Sequence, residues 1–182
     1  MSVLLRTAED FDLYGVGAVH QRSRAAAYAG ILSPETLAMR SAEAFGEWWS
    51  ERWKWEKDTH RLTVADAGGE VVGFTYVGPS ETPGAVELYG IHVAPEHVGT
   101  GLGRRLMINA LAQLTALARD SEVGGDRAVL WVLEDNAVAR RFYDRGGWTA
   151  DGATRLEPVN GEPVAQLRYT HALSGGREHA TV

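Results

Sequence analysis

Apolar residues recur along this chain with two periods, and the points where one period gives way to the other mark its elements. After Leu102 the apolar positions Leu106, Ala110, Leu114 and Leu117 follow every three or four residues, the spacing of a helix that buries one stripe. Short β-rich runs bounded by turn residues read as strands: Val3 to Arg6, residues 60–66 and 71–77 joined at Gly68-Gly69, residues 85–93 stopped by Pro95, and residues 129–134. Residues 8–28 read as a helix, and Ser33-Pro34 as the cap and first turn of another that runs to about Trp55. Residues 148–156 and 164–171 complete the strands, with Asn160-Gly161 as the turn between them. Asp120 to Arg127 is expected as a loop and Ser174 to Val182 as a disordered tail. The order predicts an α/β chain with a mixed sheet of about seven strands flanked by helices. No linker or repeat interrupts residues 1–173, which are expected to form a single domain, and 182 residues with 45% apolar content can bury a sizeable core.

The most informative change of period lies between Val93 and Leu106. There an apolar strand passes through Gly99, Gly101 and Gly103 straight into the helix. Glycines allow a left-handed turn and close approach of a ligand, and the free amides of a helix's first turn attract anions. Either a plain turn or a phosphate cradle follows. A nucleotide P-loop is excluded, because Arg104 follows the last glycine where Lys and then Ser or Thr are needed. A dinucleotide fingerprint is also missing, with no acidic residue ending a strand about twenty residues on.

A second motif follows, Leu130 to Trp148: strand, helix, stop. Asn136 is placed to cap the helix and Gly146-Gly147 to end it. Asn136, Arg140 and Tyr143 fall at i, i+4 and i+7 and share a face, while Val138 and Phe142 share a neighbouring one, so Tyr143 is expected to point away from the side that buries Phe142.

At this point the chain resembles the GNAT superfamily of acyl-CoA-dependent N-acetyltransferases. Val98-Gly99-Thr100-Gly101-Leu102-Gly103 looks like that family's Gln/Arg-x-x-Gly-x-Gly/Ala loop. Asn136, Ala139, Phe142, Tyr143, Gly147 and Trp148 are in register with its Asn-x-x-Ala-x-x-Phe-Tyr-x-x-x-Gly-Phe/Trp helix. The departure is Val98, which stands where the family carries Gln or Arg; Arg104 or Arg105 is then the source of side-chain charge for the pyrophosphate. The resemblance implies a strongly twisted, mostly antiparallel sheet whose parallel strands splay apart beside acetyl-CoA. It implies that the pyrophosphate rests on Val98, Gly99, Thr100, Gly101, Leu102, Gly103 and Arg104, and that pantetheine runs along Ile91, His92 and Val93. The backbone amides of that strand would hold the oxyanion. Asn136, Arg140 and Tyr143 of the second motif would complete the cofactor contacts, with Asn136 free to cap its helix at the same time.

The resemblance also assigns the chemistry. Acetyl transfer from a thioester to an amine needs a neutral amine, a stabilised oxyanion and a proton for the departing thiolate. Tyr143 is the candidate acid, since a phenol with a reference pKa of about 10 stays protonated at neutral pH. Glu87, near where the histone-acetylating branch carries its base, is the candidate base; an ordinary surface carboxylate is the competing reading. Period-2 alternation places Glu87, Tyr89 and Ile91 on one face, and Gly90 can host a bulge. His92 and a chain of waters are further proton routes.

Composition bounds the partners. A net charge of −6 and a pI near 5.5 argue against nucleic acid and against an anionic membrane. With no cysteine there is no disulfide and no acyl-cysteine intermediate, so acyl transfer must be direct. The six histidines show no metal-ligand spacing and no metal is expected. The first residues do not read as a secretory signal and no apolar run is long enough to span a bilayer, so a cytoplasmic location is expected. Trp48, Trp49, Trp53 and Trp55 crowd one segment, which reads as core packing, a homodimer contact or an aromatic amine pocket. Three functions remain open: acetylation of a small amine, acetylation of a protein N-terminus or lysine, and acyl-CoA binding without turnover. The tryptophans and the acidic balance favour a small cationic amine, and Tyr143 argues against the binding module.

Overall fold

The computed structural model describes residues 2–120 and 125–173; the expected tail from Ser174 and part of the loop after Asp120 lie outside them. Seven strands make one sheet: β1 (Leu4–Thr7), β2 (Arg61–Asp66), β3 (Val71–Pro79), β4 (Ala85–Val93), β5 (Arg127–Leu133), β6 (Thr149–Val159) and β7 (Glu162–Ala172). Their spatial order is β1-β2-β3-β4-β5-β7-β6. Every neighbouring pair is antiparallel except β4 and β5. The single parallel pair is possible because a long helical crossover separates its strands.

Helices cover both faces. On one lie α1 (Leu13–Ala27) and α3 (Ala42–Glu56), packed through Val16, Val19, Trp49 and Trp53 on Val64, Phe74 and Tyr76. The two helices touch through backbone: a Cβ on Gly17 would come within 2.4 Å of the Gly46 amide nitrogen. On the other face lies α4 (Leu102–Ala118), whose stripe of Leu102, Leu106, Ala110, Leu114 and Leu117 is buried as its spacing predicts. Each of those leucines contributes about 1.5–3 kcal/mol by leaving water. α5 (Ala137–Arg145) follows β5 on the same face, with Phe142 and Tyr143 against the core formed by Trp148 and Tyr169.

Two boundaries differ from the expectation. The helix read from Ser33 to Trp55 is two helices, α2 (Pro34–Ala38) and α3. Ser33 Oγ accepts the Thr36 amide at 3.2 Å and Ser41 Oγ accepts the Ala44 amide at 3.2 Å, so a second serine cap restarts the helix after Met39 and Arg40. The segment before α1 begins with a 3₁₀ turn, Asp10–Asp12. There Arg6 reaches Asp12 at 2.6 Å and Asp66 at 2.9 Å, tying β1 to α1 and to the β2–β3 turn.

Candidate active site

The glycine segment forms a turn open to solvent. After a 3₁₀ turn at Pro95–His97, Gly99 and Gly101 adopt φ of 83° and 87°, the left-handed region that glycine enters freely. A Cβ at either position would meet nothing within 4 Å, so there is room above the backbone for a ligand. Gly101 is the N-cap of α4 and supplies no side-chain cap, which leaves the first amides of α4 without intrahelical partners. An uncapped helix start under an open glycine turn fits a pyrophosphate. A Cβ at Gly103 would make ordinary contact with the Phe142 ring at 3.5 Å, so this position faces the α5 side and tolerates alanine. Both candidate arginines are exposed; Arg105 donates to the Val3 carbonyl at 2.8 Å. Val98 is exposed at the turn.

The strand before this turn loses its neighbour. β4 pairs with β5 only from Ala85 to Glu87, opposite Arg127 to Val129; beyond that β5 continues with β7 and the two strands part. Among the described residues the β5-side edge of Leu88 to Val93 has no partner strand, so Ile91, His92 and Val93 border the gap.

α5 closes the gap's far side. Asn136 is buried and its Oδ1 accepts the Ala139 amide at 3.1 Å, a helix cap as its sequence position predicts. The Arg140 guanidinium is already engaged, donating to the Glu134 carbonyl at 3.0 Å and to the Tyr169 hydroxyl at 3.4 Å. Tyr143 is half-buried, with its ring 6.3 Å from Trp148, 6.2 Å from Tyr169 and 5.6 Å from Phe142. It therefore does not point away from Phe142's side, because α5 presses both rings on one core. Burial raises its pKa, and nearby Tyr28 adds to the shift, so the phenol holds its proton firmly.

On the opposite face of the sheet lies a cavity of ≈ 120 Å³ whose walls include Trp48, Arg52, Tyr76, Tyr89, Gly90 and His92. Its shape depends on a β-bulge. Tyr76 pairs with Gly90 but Val77 with Leu88, so Tyr89 is the extra residue in β4. The bulge sits beside Gly90, where one was expected, and it reverses the alternation beyond: Ile91 packs on the α4 side and does not share a face with Glu87, while His92 turns into the cavity. His92 Nδ1 lies 2.7 Å from Ser23 Oγ, and its ring stacks on Phe74 and lies 4.5 Å from His20. Burial, then Arg24, pulls its pKa down to about 4, so it is neutral at pH 7 and a weak base. Glu87 is buried outside the cavity wall, 2.7 Å from Ser80 Oγ, and burial raises its pKa.

Of the four tryptophans, Trp49 and Trp53 are core, Trp49 also joins Trp48 in lining the cavity, and Trp55 is exposed. His20, Phe74 and Tyr76 also line the cavity and were not singled out from sequence. Only their helical or strand phase marks them, with His20 on α1 and Phe74 and Tyr76 alternating on β3.

A seven-stranded sheet parting beside a glycine turn, with a half-buried tyrosine across the gap, defines an acyl-CoA-dependent acetyltransferase. The chain belongs to the acetyltransferase (GNAT) family, whose model matches residues 27–148; acetyl-CoA is its co-substrate. It is 27% identical over 172 residues to a probable N-acetyltransferase of Mycobacterium tuberculosis, covering 92% of each chain. It is 33% identical over 128 residues to a mycothiol acetyltransferase of Streptomyces bingchenggensis, a match covering 70% of this chain and 37% of that protein. In fold it is similar to the PaiA N-acetyltransferase of Thermoplasma acidophilum in complex with coenzyme A, with a TM-score of 0.70 at 20% identity, covering 94% of this chain and 99% of that one.

Proposed function

We propose that the chain transfers an acetyl group directly from acetyl-CoA to the primary amine of a small molecule held in the aromatic cavity. The observation that carries this reading is the double use of β4. Gly90 and His92 help to wall the cavity, and the same stretch of strand borders the gap left by β5. An amine in the cavity and a thioester in the gap would meet across one strand, which is the positioning that direct transfer needs.

In this reading the glycine turn and the first amides of α4 hold the pyrophosphate, with exposed Arg104 adding charge. The free-edge amides of Ile91 to Val93 hold pantetheine and stabilise the oxyanion. Tyr143 gives its proton to the departing thiolate, and its raised pKa keeps that proton available across the physiological range. Glu87 takes the proton of the incoming ammonium through water, its raised pKa bringing it nearer to the operating pH. The small volume of the cavity supports a small acceptor over a protein tail. Release of CoA thiol from acetyl-CoA, followed across a panel of small primary amines, lysine peptides and peptides with free N-termini, tests the choice. Stimulation by a small amine above the peptides is expected. Stimulation by the peptides alone would assign the protein substrate.

A further inference from the structure

The charge around the cavity is opposite to that of the chain as a whole. Three guanidinium groups form a row joined by aromatic rings. Arg24 of α1 lies 5.8 Å from the Phe45 centroid, Arg40 lies 5.1 Å from Phe45 and 5.9 Å from Trp48, and Arg52 of α3 lies 5.1 Å from Trp48. Arg52 has a counter-ion, Glu56, at 2.6 Å. Among the described residues Arg24 and Arg40 have neither an ion pair nor a side-chain hydrogen bond, and each opposes the other's charge. Nearby carboxylates are committed: Glu56 accepts from Arg52 and the Tyr76 hydroxyl, and Glu96 pairs with Arg22. His20 and His92 stay neutral beside these cations.

Two half-buried guanidinium groups beside one ring, with aromatic faces but no anion to offset their desolvation, are only partly compensated. Forked arginine donors match a carboxylate or a phosphate. We propose that the acceptor bears an anionic group beside its amine, and that Arg24 and Arg40 bind that group while Trp48 and the cavity rings take the intervening carbon skeleton. This rests on the reading that a small amine is acetylated there, and it replaces the cationic acceptor suggested by the overall charge.

The test uses matched pairs: tyrosine against tyramine for a carboxylate, and O-phosphoethanolamine against ethanolamine for a phosphate. With the wild-type protein, kcat/KM for the anion-bearing member of one pair should exceed that of its partner by about tenfold or more, and the pair that shows it identifies the anion. Arg24→Gln and Arg40→Gln should remove the preference through KM with the KM for acetyl-CoA unchanged, and Arg24→Lys should restore part of it. A preference for the uncharged partners, or one that both Gln variants retain, overturns the proposal. Titration of tryptophan fluorescence with the same compounds, without acetyl-CoA, separates the two readings because Trp48 and Trp49 line the cavity. If no amine is acetylated but the anion-bearing ones quench the wild type and not Arg24→Gln, the anion site stands and small-amine acetylation falls. Equal quenching of both proteins sinks the anion site whatever the turnover.

Discussion

Tyr143 and Glu87 are both buried enough for their pKa values to rise, and burial does opposite things to their chemistry. For the phenol the shift secures a proton to give, whereas for the carboxylate it strengthens a base that must first lose one. Tyr143→Phe keeps the ring against Trp148 and Tyr169 and removes only the hydroxyl. Turnover by thiol release should drop about 10²–10⁴-fold while acetyl-CoA affinity by calorimetry barely moves, and a loss below about threefold would leave Tyr143 as a packing residue. Glu87→Gln preserves shape and abolishes proton acceptance. Below the amine's own pKa the acceptor arrives protonated and needs a base, so the variant should lose most rate there and approach wild type as pH rises. A pH–rate profile with a uniform loss would assign Glu87 to positioning, and no loss would leave it a buried structural carboxylate. Both candidates come from motif and strand position. The faces of Ile91 and His92 were not legible in the sequence, because they turn on the single inserted residue Tyr89, which exchanged their sides.

At the scale of elements, α4 and α5 could be read directly, since the periodic leucines, the glycines and the Asn136 cap are local signals within one turn of the feature they set. The split between α2 and α3 escaped because a continuous helical period hid a second Ser cap at Ser41, only eight residues after Ser33. The parting of β4 from β5 is a property of pairing between distant strands and came only through the family resemblance. The glycine turn can be tested as an element. Gly101 has φ of 87° and open space above it, so Gly101→Glu strains the turn and places a negative charge where the pyrophosphate is proposed to sit. Calorimetry should show steeply weakened binding of CoA by a variant whose circular dichroism is native. Unchanged affinity would move the cofactor elsewhere.

For the whole molecule, the cavity is the level that sequence reasoning could least reach. Its walls come from α1, α3, β3 and β4, and residues as far apart as His20 and His92 meet in it. Net charge was equally uninformative there, because a total of −6 is spread over the surface while Arg24, Arg40 and Arg52 gather at one site. What unites the parts is a short path: thioester in the β4–β5 gap, amine in the cavity, one strand between. Single-turnover transfer tests that path most directly. The protein is loaded with stoichiometric acetyl-labelled acetyl-CoA, mixed with the best amine from the thiol-release panel, and quenched over time for mass analysis of protein and small molecule. Label should pass to the amine at the rate it leaves CoA, with no acetylated protein at any time; acetyl-protein that forms first and then decays into product would contradict direct transfer.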